Sequence, residues 1–235
     1  MYDRNKEGRL TSGRREPGAK AVVVLSGGQD SATALAMCVS RHGADRVAAI
    51  TFGYGQSHAL EIKYARALAR RFAISRHKVL RMDFMQDISD SALFRRGARI
   101  SRSPGAKCPN TVVEGRNAFF LLAASVWAKT LGAGEIWIGV SEADFSGYPD
   151  CREGFLRSME RSVRLALDYG VKFVAPFMHK TKAEEWRIAE RLGVLDIVEK
   201  ETLTCYRGVP GRGCGKCPAC RLRRRGYEEF LAARQ

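Results

Sequence analysis

The fold is decided by the stretch Leu25-Ser26-Gly27-Gly28-Gln29-Asp30-Ser31, which follows an apolar run at residues 21–25 and opens into a helix-like segment at residues 32–37. A short β-branched run that ends in two glycines and continues into such a segment is typical of a strand, a tight turn and a helix. Glycine lets the backbone approach a ligand closely. Unpaired amide N–H groups at the helix start, with the hydroxyls of Ser26 and Ser31, would form a cradle for phosphate. The stretch therefore predicts a phosphate-binding loop at the first turn of an α/β domain.

The rest of the chain continues the alternation of strands and helices. This pattern predicts a doubly wound parallel sheet, whose ligands bind beyond the carboxyl ends of the strands. The helix at residues 118–131 is apolar on nearly all sides, so we expect it to be buried. Residues 82–114 show weak periodicity, which is typical of a lid, a binding loop or a disordered segment. The further predicted strands are 47–52, 76–80, 135–140 and 172–175, and the predicted helices are 31–42, 58–72, 118–131, 155–169, 182–192 and 221–233.

Length and composition limit the class of protein. The 235 residues, 45% of them hydrophobic, suit one α/β domain at residues 20–198 with a small C-terminal element at 199–235. No apolar stretch approaches the roughly 20 residues that a membrane span needs. Residues 1–19 lack the apolar segment of a secretory signal, so we expect a disordered extension and a cytoplasmic protein.

The net charge of +15 is consistent either with a nucleic-acid partner or with anionic ligands. Arginine is spread over the whole chain, apart from the block at residues 221–225. We therefore expect no direct contact with nucleic acid, and none with a membrane.

Four of the seven cysteines lie close together near the C-terminus, with the spacing C-x8-C-x2-C-x2-C. Four thiolates from one loop suit tetrahedral Zn²⁺, and a site filled by four protein ligands is structural. An iron–sulfur cluster is the alternative, because four cysteines also hold such clusters. The predicted ligands of one structural zinc per chain are Cys205, Cys214, Cys217 and Cys220.

The glycine loop resembles the Ser-Gly-Gly-x-Asp-Ser loop of the ATP pyrophosphatases, and residues 142–152, Glu-Ala-Asp-Phe-Ser-Gly-Tyr-Pro-Asp-Cys-Arg, are similar to a loop of the 7-cyano-7-deazaguanine synthases. Five more stretches agree, so that the resemblance runs from about residue 21 to 230. It implies an adenine nucleotide α hydrolase-like fold and a homodimer. It also implies an ATP-dependent carbon–nitrogen ligase of queuosine biosynthesis, which converts 7-carboxy-7-deazaguanine and ammonia into the nitrile through an activated carboxylate and an amide. The five stretches are residues 54–56, 109–111, 115–117, 201–206 and 213–220.

The same resemblance implies roles for individual residues. Asp30, Ser31, Lys182 and Arg116 form the expected catalytic set, with Asp30 a candidate for organising the Mg²⁺ carried by ATP and Lys180 a candidate to share the role of Lys182. A guanidinium at Arg116 could bind carboxylate or phosphate. The expected ATP-binding residues are Ser26, Gly27, Gly28, Gln29, Asp30, Ser31, Tyr54 and Gln56, and the expected substrate-binding residues are Asn117, Glu142, Asp144, Ser146, Tyr148 and Asp150. The acidic members of the last set would accept from the N–H donors of the deazaguanine ring, and the sequence does not rank them.

Three positions depart from the family pattern, which usually has Asp at Gly53, a basic residue at Ser57 and often Pro at Glu114. These departures leave open a relative that uses the same activation on another acceptor. A tRNA-thiolating pyrophosphatase is a further alternative that the basic charge favours, and a nucleic-acid-binding zinc module with an unused ATP loop is a third. Cys108 and Cys151 are candidate nucleophiles, although ordinary thiols are favoured.

Overall fold

The computed structural model describes residues 18–54, 60–94, 110–142 and 148–234. Three of the residues expected at the site, Gln56, Asp144 and Ser146, lie outside these ranges. Ser57, Cys108 and residues 1–17 of the expected extension lie outside them as well.

Five parallel strands form one sheet in the order β3-β2-β1-β4-β5. The central strand β1 is buried over its whole length, because β2 and β4 pair with it on both sides. Val22 of β1, for example, pairs with Ala48 and Ile136. The order reverses between β1 and β4, which is where ligands bind in such sheets. The predicted doubly wound parallel sheet is confirmed; its strands are β1 (Ala21–Val24), β2 (Val47–Gly53), β3 (Arg76–Arg81), β4 (Glu135–Ile138) and β5 (Lys172–Val174).

Helices cover both faces of the sheet. Two of them, α4 and α5, pack on one face, and α1, α2, α6 and α8 pack on the other. No helix in the described ranges has the length and apolar character needed to cross a membrane. The helices are α1 (Gln29–His42), α2 (Leu60–Arg71), α3 (Met85–Ile88), α4 (Arg116–Leu131), α5 (Glu153–Leu167), α6 (Lys182–Arg191), α7 (Leu195–Lys200) and α8 (Pro218–Ala232).

Two expectations about the helices were wrong in detail. Helix α4 is not buried on all sides, since Leu122 and Val126 are 40% and 47% exposed. Helix α8 begins at Pro218, three residues before the predicted start, because proline suits the first helical turn and the Cys217 sulfur accepts from the backbone N–H of Cys220. The short helix α7 was not predicted, since six residues are too few to show a helical period.

The C-terminal helix packs directly on the main domain. Phe230 of α8 is fully buried in the same core as Trp186 of α6. At the crossing, a Cβ atom on Gly226 would lie 2.3 Å from the Cβ of Lys182, so only glycine allows the two helices to come this close. Helix α7 spans the expected boundary after residue 198, and Val198 is buried in the main core.

Candidate active site

The glycine loop lies between β1 and α1, wedged against α2. Gly27 has φ +90°, and a Cβ atom there would lie 2.8 Å from the Glu61 carbonyl oxygen. A larger residue would therefore be strained and would also push α2 away. The loop occupies the predicted position at the carboxyl end of the central strand.

The loop amides are more fully paired than the sequence suggested. The N–H of Gly28 donates to Ser26 Oγ at 3.3 Å, and that of Gln29 donates to Thr204 Oγ1 at 3.2 Å. The expectation of unpaired N–H groups was wrong for these two, because hydroxyls of the loop and of the C-terminal segment accept from them. Ser31 Oγ lies 3.1 Å from Ser26 Oγ and donates to the Gly28 carbonyl. The Gln29 side chain is buried, and its amide has no hydrogen-bond partner in the described part of the chain.

Lys182 links the loop after β5 to the glycine loop. It is the first residue of α6, whose start is defined by the Thr181 hydroxyl and the Glu184 carboxylate in a reciprocal capping box. From there the Lys182 ammonium lies 2.9 Å from Asp30 Oδ1. Burial by itself would raise the pKa of Asp30, but the charge of Lys182 and hydrogen bonds to neighbouring side chains lower it below its usual value.

The structure therefore brings two predicted site residues, Asp30 and Lys182, into contact. Lys180 is directed elsewhere, with its ammonium exposed and 3.9 Å from Glu184.

The C-terminal segment supports the loop from the other side. The N–H of Leu203 donates to the Gly27 carbonyl at 2.8 Å, and Thr204 Oγ1 accepts from both Gln29 and Arg223. Arg223, on α8, is 5% exposed and also donates to Thr202 Oγ1 and to the carbonyls of residues 198 and 199. The glycine loop is thus held by the segment that carries the cysteines.

A second group of site residues surrounds Arg116, the first residue of α4, whose side chain contacts Tyr54 just after β2. Its NH1 donates to the Tyr54 hydroxyl at 3.3 Å, and its guanidinium lies 5.7 Å and 5.9 Å from the rings of Tyr54 and Phe120. Burial opposes the charge, but Tyr54, Asp150 and Cys151 raise the pKa of Arg116 above its usual value. Its Nε is buried and has no partner among the described residues. Arg116 is therefore a desolvated cation with an unused donor.

Asn117 and Asp150 bind each other behind Arg116. One carboxylate oxygen of Asp150 accepts from the Asn117 backbone N–H at 3.0 Å, while the Asn117 side chain donates to the Asp150 carbonyl at 3.1 Å. The other Asp150 oxygen is buried without a partner in the described ranges. The pair holds the start of α4 against the loop that follows β4.

Cys151 is not a good nucleophile. Burial, together with the charge of Asp150, raises the pKa of its thiol to about 11, so the thiol is neutral near pH 7.

Two other expected substrate-binding residues contact protein groups. The Tyr148 hydroxyl lies 2.6 Å from Thr111 Oγ1, and Glu142 accepts from the backbone N–H of Glu153 at the start of α5. At the departures from the family pattern, a Cβ atom on Gly53 would lie 3.2 Å from Ile62 Cδ1, and Glu114 accepts from Ser89 Oγ at 2.6 Å.

The four predicted metal ligands meet at one point. The sulfur atoms of Cys205, Cys214, Cys217 and Cys220 all lie within 4.8 Å of one another. A tetrahedral ion with bonds of about 2.3 Å needs sulfur atoms about 3.8 Å apart, which this arrangement can supply. Backbone N–H groups donate to three of the sulfurs, as expected around thiolates. The residues present fit a metal ion bound by four thiolates.

A family model described as "Queuosine biosynthesis protein QueC" matches residues 20–231. The chain belongs to this family. A protein of Clostridium acetobutylicum named 7-cyano-7-deazaguanine synthase is 45% identical over 212 residues, covering 90% of this chain and 94% of the relative. A relative of the same name from Clostridium botulinum is 44% identical, covering 90% and 95%. Membership of this family confirms the family that the sequence motifs resemble.

Two solved structures are more distantly similar. NMN synthetase from Francisella tularensis has a TM-score of 0.49 and 13% identity, with 93% of this chain and 79% of that chain covered. NH3-dependent NAD synthetase from Campylobacter jejuni has a TM-score of 0.46 and 14% identity, with 78% and 70% covered.

Three residues that hold the site, Glu185, Thr204 and Arg223, have no role predicted from the sequence. Thr204 lies in one of the stretches that carry the resemblance, and Arg223 lies in the basic block at residues 221–225. Neither signal indicates a contact with a loop almost 200 residues earlier in the chain. Glu185 is missed because a glutamate in the first turn of a helix is ordinarily exposed.

Proposed function

We propose that this protein is an ATP-dependent carbon–nitrogen ligase that converts 7-carboxy-7-deazaguanine and ammonia into 7-cyano-7-deazaguanine, a step of queuosine biosynthesis. The observation that carries the proposal is 45% identity, over 90% of the chain, to a relative named for that product. The catalytic residues expected from the sequence lie in two groups: Asp30, Ser31 and Lys182 at the glycine loop, and Arg116 beside Tyr54 after β2.

The chemistry needs a better leaving group than hydroxide. ATP supplies it by activating the carboxylate; ammonia then gives the amide, and a second activation allows dehydration to the nitrile. In this scheme the glycine loop and Lys182 bind the phosphates and neutralise charge as it moves to the leaving group. Arg116 binds the acceptor carboxylate with its guanidinium, whose Nε has no hydrogen-bond partner among the described residues.

The neutral Cys151 thiol supports ammonia as the nucleophile. A thiolation enzyme would need a reactive sulfur facing the activated intermediate. The described part of the site therefore favours nitrile formation over tRNA thiolation.

We further propose a structural Zn²⁺ on the four cysteines and a Mg²⁺ that enters with ATP. Zinc suits four thiolates with no open position, and the ion would hold the segment that supports the glycine loop. The side chain of Asp30 is 35% exposed, so one of its carboxylate oxygens can also contact a metal ion bound to the phosphates. A homodimer and a cytoplasmic location stay predictions.

The test incubates the purified chain with 7-carboxy-7-deazaguanine, ammonium and Mg·ATP, without RNA, and follows nitrile formation by mass spectrometry. We expect nitrile that depends on both ATP and ammonium, and much slower nitrile formation from Lys182→Met. ATP consumption that requires a different acceptor would instead support a relative with the same activation chemistry. Consumption only in the presence of tRNA and a sulfur donor would support thiolation.

A further inference from the structure

Glu185 is a fully buried carboxyl group beside Lys182. It lies one helical turn into α6, and its Oε1 accepts from the Lys182 ammonium at 2.8 Å. Its Oε2 is also buried and meets no donor among the described residues. A buried, ionised carboxylate oxygen without a hydrogen-bond donor costs free energy of folding. We therefore expect this oxygen to carry a proton or to have a further partner.

The charges around Lys182 indicate where a proton lies. The described groups facing it are Asp30 from α1, Glu185 from its own helix, and Arg223 from α8, whose N–H groups are bound to Thr202, Thr204 and two carbonyls. Asp30 Oδ1 and Glu185 Oε1 lie 2.9 Å and 2.8 Å from the same ammonium, and two carboxyl groups this close together disfavour ionisation of both, so that one keeps a proton.

Glu185 is the group that carries this proton. It is wholly buried, whereas Asp30 keeps a third of its exposure. Burial, followed by the charge of Asp30, raises the pKa of Glu185 well above its usual value. The cluster therefore contains one ammonium, one carboxylate and one neutral acid.

We propose that Glu185 is a positioning residue of the nucleotide site: as a neutral acid it accepts from Lys182 and holds the ammonium at the glycine loop beside Asp30. Asp30 already balances the ammonium, so a second carboxylate in this place would make the three groups net negative and repel phosphate. If Asp30 turns towards a metal ion on ATP, Glu185 keeps Lys182 in position. The inference rests on the proposed function only in taking this loop as the site of the ATP phosphates.

The experiment measures binding of a non-hydrolysable ATP analogue with Mg²⁺ by calorimetry, on the full chain and without the acceptor. The variants are Glu185→Gln, which keeps a donor and an acceptor, and Glu185→Met, which keeps the shape and removes both. Glu190→Gln is the matched control, because Glu190 lies on the same helix and pairs with Arg234 at the surface. The melting temperature of each protein is measured in parallel.

We expect Glu185→Met to bind the analogue about tenfold more weakly or worse, since a charged hydrogen bond is lost. Its melting temperature should fall only modestly, because the Lys182 ammonium loses one buried acceptor but keeps Asp30. Glu185→Gln should bind within about threefold of the wild type. A purely structural role would instead lower the melting temperature and leave the affinity of the folded protein unchanged.

Two results would overturn the proposal: wild-type affinity in Glu185→Met, or an affinity in Glu185→Gln as low as that of the methionine variant. If the methionine variant does not fold, the glutamine variant decides alone. The readout stays separate from the proposed function. A wild type that binds the analogue but makes no nitrile contradicts the assigned reaction and leaves the Glu185 test valid, whereas a wild type that does not bind it contradicts both.

Discussion

The site has a phosphate side around the glycine loop and an acceptor side around Arg116, and the two sides balance their charges in different ways. On the phosphate side, Asp30, Lys182 and Glu185 contact one another, and Thr204 and Arg223 hold the glycine loop. On the acceptor side, Arg116 contacts aromatic rings and one hydroxyl, and both its Nε and one oxygen of Asp150 have no partner in the described ranges. On the phosphate side two carboxyl groups bind the ammonium, although the Gln29 side chain has no partner among the described residues, whereas on the acceptor side the guanidinium contacts a hydroxyl and two rings.

This difference predicts that substitutions on the two sides affect different kinetic constants. Phosphate-side groups should act on ATP binding and on the chemical step, because their geometry exists before substrate arrives. Acceptor-side groups should act on the Michaelis constant of the deazaguanine acid, because their open donors are filled only by it. The following predictions test this separation.

The largest effect should come from the metal, which supports the phosphate side through residues 203 and 204. Four-thiolate zinc sites bind with roughly 10–16 kcal/mol, comparable to the whole stability of a domain, about 5–15 kcal/mol. Cys217→Ser should therefore lose metal and lower the melting temperature, and is expected to give largely insoluble protein. Metal analysis beside thermal melts checks this, with Cys38→Ala, a buried cysteine outside the cluster, as the control that keeps its metal. A metal-free wild type that is folded and active would contradict the zinc proposal, and iron with visible absorbance would identify a cluster.

Lys182→Met should lower kcat by about 10²–10³, because a preorganised cation is lost from the developing charge. Lys180→Met removes an equal charge two residues away, where the ammonium faces Glu184 and solvent, and should change kcat little. Single-turnover rates at saturating substrates measure both. Equal losses in the two variants would mean that general positive charge matters and not the contact with Asp30.

Arg116→Lys should raise the Michaelis constant of the deazaguanine acid by about 10–100-fold and that of ATP by much less. Lysine keeps the charge but lacks the planar fork of donors that matches a carboxylate, and a charged hydrogen bond contributes about 1.5–3 kcal/mol. Steady-state titrations of each substrate with the other saturating separate the two constants. A comparable rise for ATP would place Arg116 on the phosphates and break the comparison between the two sides.

The phosphate side was easier to predict because its motif is local. The six consecutive residues 26–31 predict the glycine loop, and the capping box of Thr181 and Glu184 defines the start of the helix that carries Lys182. The sheet was also predictable, since each strand is a short apolar run between helices. Glu185, Thr204 and Arg223 were missed because their roles arise from burial and from contacts between distant segments, which periodicity does not encode.

The acceptor side was predicted by resemblance and only partly by physics. Nothing local distinguishes an Asp150 that supports the backbone of α4 from one that binds a ring, and the structure shows the first contact. Tyr54 was predicted to bind ATP, yet its hydroxyl accepts a hydrogen bond from Arg116. Such assignments depend on the relative placement of β2, α4 and the loop after β4, which a single sequence leaves open.

Glu185 should also make the stability of the phosphate side depend on pH. Its pKa is raised in the folded state, whereas an unfolded glutamate titrates near about 4.3. Between these two pKa values the folded state binds one more proton than the unfolded state. As the pH rises through this range, the free energy of unfolding of the wild type therefore falls by about 1.4 kcal/mol per pH unit relative to that of Glu185→Gln. Asp30 adds no slope there, because its lowered pKa keeps it ionised in both states. Urea unfolding of both proteins at several pH values checks this, and a constant difference would show that Glu185 is ionised in the fold.

The smallest effect, and the sharpest test of the comparison, is expected from Tyr54→Phe. This change removes only the hydroxyl that accepts from Arg116 at 3.3 Å, and it keeps the ring beneath the guanidinium. Because one hydrogen bond contributes about 0.5–1.5 kcal/mol, the Michaelis constant of the deazaguanine acid should rise about two- to tenfold. Tyr169→Phe, which removes a hydroxyl that donates to the Ala133 carbonyl away from the site, is the matched control. The Michaelis constant of ATP should not follow in either variant. If the Michaelis constant of ATP rises in Tyr54→Phe while that of the acid stays constant, Tyr54 contacts the nucleotide, as the sequence predicted. Tyr54 and Arg116 would then both belong to the phosphate side.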